Sequence, residues 1–116
     1  MTALLAILVS AAASVTCFAG EIRSGSTLEV RPNSIWFEDA ARLTRWQQLK
    51  KSGNSAALAS YEEKLHSQRN AWQFANQLTV TVLSYEGEKN QINVKMETAG
   101  RMLGTTWWLD AGALVQ

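Results

Sequence analysis

The chain has 116 residues, 47% hydrophobic and 18% charged, with 11 basic side chains against 10 acidic ones and a formal charge of +1. That length suits one domain, and near-neutrality excludes the basic footprint expected of a nucleic-acid binder. One Cys and one His exclude a disulfide-stapled scaffold and a zinc-finger ligand set.

Residues 1–20 contain no charged side chain. The apolar run Leu4-Leu5-Ala6-Ile7-Leu8-Val9 gives way to small residues and then to Cys17-Phe18-Ala19, with small residues at both outer positions. This is the layout of a secretory signal peptide, read as an N-terminal signal helix over residues 1–19 with cleavage between Ala19 and Gly20. The expected location is then periplasmic or extracellular. Two alternatives remain open: a retained membrane anchor formed by residues 1–20, and lipidation at Cys17. Cleavage would leave residues 20–116, 97 residues without cysteine but with all five tryptophans, Trp36, Trp46, Trp72, Trp107 and Trp108. A domain of that size draws its stability from packing a few large side chains.

Leu28-Glu29-Val30-Arg31 alternates as a strand does, Pro32-Asn33-Ser34 reads as a turn, and Ile35-Trp36-Phe37 resumes a short β-type run. The period then becomes helical. Asp39 is placed to cap a helix from Ala40 to Lys51, with Lys50 and Lys51 in its last turn and Gly53 just beyond. Asn54 or Ser55 caps a second helix, expected from Ala56 to Gln73. On it Leu58, Tyr61, Leu65 and Trp72 fall within roughly 60° of one another. Residues 39–73 thus read as an αα-hairpin, with Trp46 and Trp72 holding it to the rest.

Residues 78–115 read as a β-meander. Leu78 to Tyr85 is rich in β-branched residues, and Glu86 to Asn90 forms a polar hairpin loop. Gln91 to Glu97 alternates, with Ile92, Val94 and Met96 inward. After a turn at Thr98–Arg101, Met102 to Leu109 reads as a third strand with Trp107 and Trp108 on opposite faces. Asp110-Ala111-Gly112 turns the chain into a last short strand, Ala113-Leu114-Val115.

The ending Gly104-Thr105-Thr106-Trp107-Trp108-Leu109, one short turn and a final Leu114-Val115 strand resembles the bacterial secreted Src-homology-3-like barrel domains. The resemblance spans about half of residues 20–116 and implies an α+β fold. It would be a small antiparallel barrel or meander of four to five strands, with the αα-hairpin inserted in the long first loop. That loop carries no acidic cluster of the kind peptide-binding members use, so no ligand role follows.

Little in the chain suggests catalysis. Residues 20–116 offer no thiolate, and His66 reads as an exposed helical residue one turn from Glu62. Glu38/Asp39 and Glu62/Glu63 read as a helix start and a solvated helix face, and Glu86 and Glu88 as loop charges. Asp110 beside Trp108 is the least ordinary acid, although a turn explains it. No metal-ligand cluster or phosphate-cradling loop is present in the sequence, so no metal or cofactor is expected.

The aromatic residues remain. Trp36, Trp107 and Trp108, with Asp110, are the candidate surface anchors, since consecutive strand residues point to opposite faces. The expectation is a non-enzymatic exported binding or accessory domain of the cell envelope, whose partner is a protein or an envelope component. Its rivals are a small glycan or peptide hydrolase using Asp110 or a loop Glu, and a structural subunit of an envelope assembly. Arg42, Arg45, Lys50 and Lys51 on the first helix also raise contact with a membrane surface or anionic polymer. Glu38 and Asp39 offset them, favouring a solvated face. The intact mass of the exported protein should lack Met1 to Ala19; a mass that retains them contradicts the cleaved-leader reading.

Overall fold

The computed structural model describes residues 22–115, so the expected signal segment and Cys17 lie outside the described residues. The architecture is α+β: six strands in one antiparallel sheet and two helices. Strands β1 (Thr27–Val30) and β2 (Ile35–Phe37) precede helices α1 (Ala40–Ser52) and α2 (Ser55–Ser67). Strands β3 (Ala71–Gln73), β4 (Leu78–Glu86), β5 (Gln91–Met96) and β6 (Thr106–Asp110) follow. Single 3-10 turns at Gly87–Lys89 and Ala111–Ala113 follow β4 and β6. Among the described residues, no helix is long and apolar enough to cross a membrane.

The link between β1 and β2 is a local consequence of Pro32-Asn33. Asn33 has φ +65°, and the Ser34 N–H reaches the Arg31 carbonyl at 3.4 Å. Proline at the second position and Asn at a positive-φ third position meet the demands of a type II turn. Both helix starts follow the same logic. Asp39 accepts from the Arg42 N–H at 2.8 Å and Asn54 from the Ala57 N–H at 3.0 Å, satisfying donors that a helix start leaves open. Gly53, at φ +78°, closes α1 after Lys50 and Lys51.

The second helix is shorter than its periodicity predicts. It ends at Ser67, and Arg69 enters the left-handed region at φ +59° while the Asn70 N–H returns to the Leu65 carbonyl at 2.9 Å. Trp72 therefore belongs to β3, directly opposite Trp36 of β2, and the helical seam keeps only Leu58, Tyr61 and Leu65. The cause is tertiary: β2 offers Ala71–Gln73 a strand partner, and the polar run Gln68-Arg69-Asn70 gives a continued helix nothing to bury. This pairing also raises the strand count to six, above the expected four to five.

The sheet runs β1-β4-β5-β6-β2-β3 and is not closed. Its meander β4-β5-β6 follows the expected order, with an irregularity at Leu83 where β4 carries one residue more than β5. Such a bulge bends and twists the strand. The third meander strand begins at Thr106 rather than Met102, because residues 102–104 continue the turn. The expected last strand is reduced to one bridge, Val30 to Leu114, flanked by Arg31 N–H to Ala113 at 2.8 Å and Val115 N–H to Glu29 at 2.9 Å.

Each face of the sheet carries its own core. The larger cluster joins Val30, Trp36, Val80, Val82, Ile92, Val94, Met96, Trp107, Leu109 and Leu114. The smaller joins Phe37 and Ala71 to Leu43 of α1 and Leu65 of α2, with Trp46, Tyr61 and Trp108 packed around them. Strand alternation divides Trp36 from Phe37 and Trp107 from Trp108, sending one of each pair to each core.

Trp36 and Trp107 are therefore not surface anchors: they are 1% and 4% exposed. Their ring centroids lie 6.3 Å apart in edge-to-face contact, and Phe74 meets them at 5.3 and 6.4 Å. Trp107 spends its indole N–H on the Thr105 hydroxyl at 2.7 Å.

Candidate functional groove

The helical hairpin packs on one face of the sheet and leaves clefts along one side of α1. A cleft of about 380 Å³ runs from the β1–β2 turn past Trp46 and Lys50 to Asp110. A second, of about 270 Å³, continues from the same three residues toward Glu88, Lys89 and Asn90. Trp46, Lys50 and Asp110 line both clefts.

One wall is fixed by a relay from α2 to α1. Glu62 accepts from the Trp46 indole N–H at 2.8 Å. The indole leans on Phe37, with centroids 5.7 Å apart, and carries the Lys50 ammonium 4.8 Å from its own centroid. A cation so placed is attracted by the ring quadrupole, so Trp46 holds Lys50 at the groove rather than leaving it to wander. Trp46 thus lines a concave surface, a role that its expected place in the hairpin did not reveal.

The opposite wall is fixed by Asp110. One carboxylate oxygen caps the 3-10 turn by accepting from the Gly112 N–H at 2.9 Å. The other accepts from the Gln47 side-chain amide at 2.7 Å and the Asn90 amide at 3.4 Å. The same Gln47 amide group also donates to the Asn90 carbonyl at 3.2 Å. Behind it Gln91, 2% exposed, donates to the Thr44 hydroxyl at 2.7 Å and the Gln47 carbonyl oxygen at 3.1 Å. A buried amide left unpaired is costly, so this set fixes how α1 sits on β5 and β6. Sequence reasoning missed Gln91 because it opens a strand and looks solvated; its only signal is that it shares a face with Trp108 across the β5–β6 pair.

The other expected residues are dispersed. Trp108 is half-buried in the smaller core, opposite Phe37 across β2 and β6, and so lies under the hairpin. His66 stands in the last turn of α2, and Glu86 pairs with Lys89 at 3.6 Å in the hairpin loop. Burial pushes the Tyr61 hydroxyl above its ordinary pKa; Arg42 and Arg45 oppose that shift and Asp39 adds to it. Among the described residues, no group of three or more His, Cys, Asp or Glu is placed to hold a metal.

A separate apolar depression of about 300 Å³, lined by Phe74, Leu78, Met96 and Met102, opens where the larger core reaches the surface. Leu103, beside Met102 in the chain, is 54% exposed.

No family model, curated protein or solved structure matches the chain.

Chemically, the groove presents an indole, side-chain amides, cations and the Glu88 carboxylate, while Glu62 and Asp110 spend carboxylate oxygens on fixing its walls. If Gln47 and Asp110 act as one latch, the double-mutant cycle of Gln47→Ala and Asp110→Ala should return a coupling energy of about 1 kcal/mol in equilibrium unfolding. Strict additivity of the two losses would contradict the latch.

Proposed function

We propose that the chain is a small exported, non-enzymatic binding or accessory domain of the cell envelope, and that the groove beside α1 is its recognition surface. The observation that carries this reading is the commitment of the two acids that line the larger cleft, Glu62 and Asp110. Asp110 accepts bonds on both oxygens and Glu62 anchors an indole, which suits a fixed surface better than groups that must exchange protons. Export rests on the signal-like residues 1–19, with retention as an anchor through residues 1–20 as the alternative. The partner is an envelope component; no cofactor, metal or nucleic acid enters the reading.

A Src-homology-3-like meander, with the sheet left open, is the finer fold reading we favour. Supporting it are the meander, its closing 3-10 turn and the return of Leu114 onto Val30, with β2, the helical hairpin and β3 inserted between β1 and the meander. Fold likeness says nothing of ligand, so the function rests on the groove.

A second reading, a glycan or peptide hydrolase, has one observation in its favour: Glu62 and Asp110 line the same cleft. Cosedimentation of the purified chain with an isolated envelope fraction separates the two. We expect retention in the pellet, weakened by Lys50→Gln and unaffected by Leu103→Ala. An unbound chain overturns the binding reading, and release of soluble fragments that Glu62→Gln abolishes replaces it with the hydrolase.

A further inference from the structure

We infer that the apolar depression on the larger core is a second binding site, taking the alkyl chain of a single anionic amphiphile whose acid group meets Arg101. It stands apart from the groove beside α1 and shares no lining residue with it.

The lining is the first argument. Phe74, Leu78, Met96 and Met102 bring side chains of the larger core to an opening of about 300 Å³. Small-ligand pockets start at about that volume and are mostly apolar, with a few polar groups that fix orientation. Two thioethers make the wall adaptable, because methionine is unbranched and polarizable. Thr98 adds little polarity, since its hydroxyl accepts from the Thr79 N–H at 2.8 Å and donates to the Thr79 carbonyl at 3.3 Å. The loop wall is also held in place. The Gly104 N–H returns to the Met96 carbonyl at 2.9 Å, and the Thr105 hydroxyl and N–H reach the Met102 carbonyl at 2.6 and 3.0 Å. Little of the wall is left to be ordered by a ligand.

Charge is the second argument. Arg101 lines the depression beside no acid, and it makes no ion pair among the described residues. Glu97, nearby in the chain, is held by Lys95 at 3.7 Å and by the Thr81 hydroxyl at 2.7 Å. An apolar opening with a guanidinium at its rim is complementary to an alkyl chain that ends in a carboxylate.

Size decides against larger occupants. Leu103, 54% exposed, is the large exposed hydrophobic of this loop, while Leu83 lies on β4 and Val115 at the end of the chain. A bilayer is held by several basic residues or a broad apolar face. A stable protein interface buries more than about 1,000 Å². One leucine and one arginine beside a small opening supply neither.

The test is isothermal titration of the purified chain with octanoate, decanoate, decanol and decyltrimethylammonium, each kept monomeric in solution. Decanoate is expected to bind about tenfold more tightly than octanoate, because two more methylenes are buried. Arg101→Gln should weaken decanoate about fivefold, the scale of one exposed ion pair, and leave decanol unchanged. Lys64→Gln, which removes an equal charge on α2, should change neither. Ala99→Leu, which places a larger side chain in the depression, should weaken both. Equal affinity for octanoate and decanoate, binding of decyltrimethylammonium as tight as decanoate, or indifference to Arg101→Gln overturns the assignment. Binding to anionic phospholipid vesicles in place of monomeric decanoate, lost in Leu103→Ala, puts a bilayer there instead. A dimer in sedimentation velocity that Leu103→Ala dissociates puts a second copy there. Either result overturns the proposal and leaves the groove untouched, since the groove's own test reads Lys50→Gln.

Discussion

Everything in this fold depends on the alternation of side chains across a strand. Trp36-Phe37 and Trp107-Trp108 are consecutive aromatics on two paired strands, so each pair sends one large ring to each face of the sheet. An antiparallel sheet can usually leave one face to water. This one cannot, because Phe37 and Trp108 then stand exposed. The helical hairpin is the answer: Leu43 and Leu65 cover Phe37, with Trp46 and Tyr61 packed around them. Burial of each such side chain contributes roughly 1.5–3 kcal/mol, enough in sum to decide whether so small a domain folds.

Apolar cover sets which face the hairpin takes but not its angle, because hydrophobic burial has little directionality. The angle is set by polar bonds. Gln91 and Thr44, Gln47 and Asp110, and Asn90 at the same corner tie α1 to the end of the meander. Because these bonds act along one side of α1, the helix is held there beside an open groove. Open groove and structural latch are thus two sides of one arrangement, with Asp110 serving the latch and Lys50 facing the groove.

Local chemistry was the most legible part of the sequence. Asp39, Asn54 and Gly53 stop and start the helices where their side chains or permissive backbone satisfy helix ends. The alternation Ile92, Val94, Met96 marks the inward face of β5, and all three are buried. What required long-range partners was not legible. Trp72 fits a helical seam by spacing, yet a strand at residues 35–37 draws it into the sheet, and nothing local to Ala71-Trp72-Gln73 announces that partner. Gln91 looks like a solvated strand start until α1 lies over it. The same gap hid the groove, since Trp46, Lys50 and Asp110 meet only when residues 64 positions apart are packed together. Trp36 and Trp107 reversed their expected role for a related reason: tryptophan count marks a need for burial as readily as a sticky surface.

The hairpin is a required cover for a two-faced sheet rather than an appendage. This requirement is tested by urea unfolding of a chain in which Glu38–Asn70 is replaced by a short Asn-Gly turn, joining β2 directly to β3. This chain is expected to lose its cooperative transition, because Phe37 and Trp108 lose their cover while the larger core stays chemically intact. A cooperative transition with the midpoint of the full chain would contradict it.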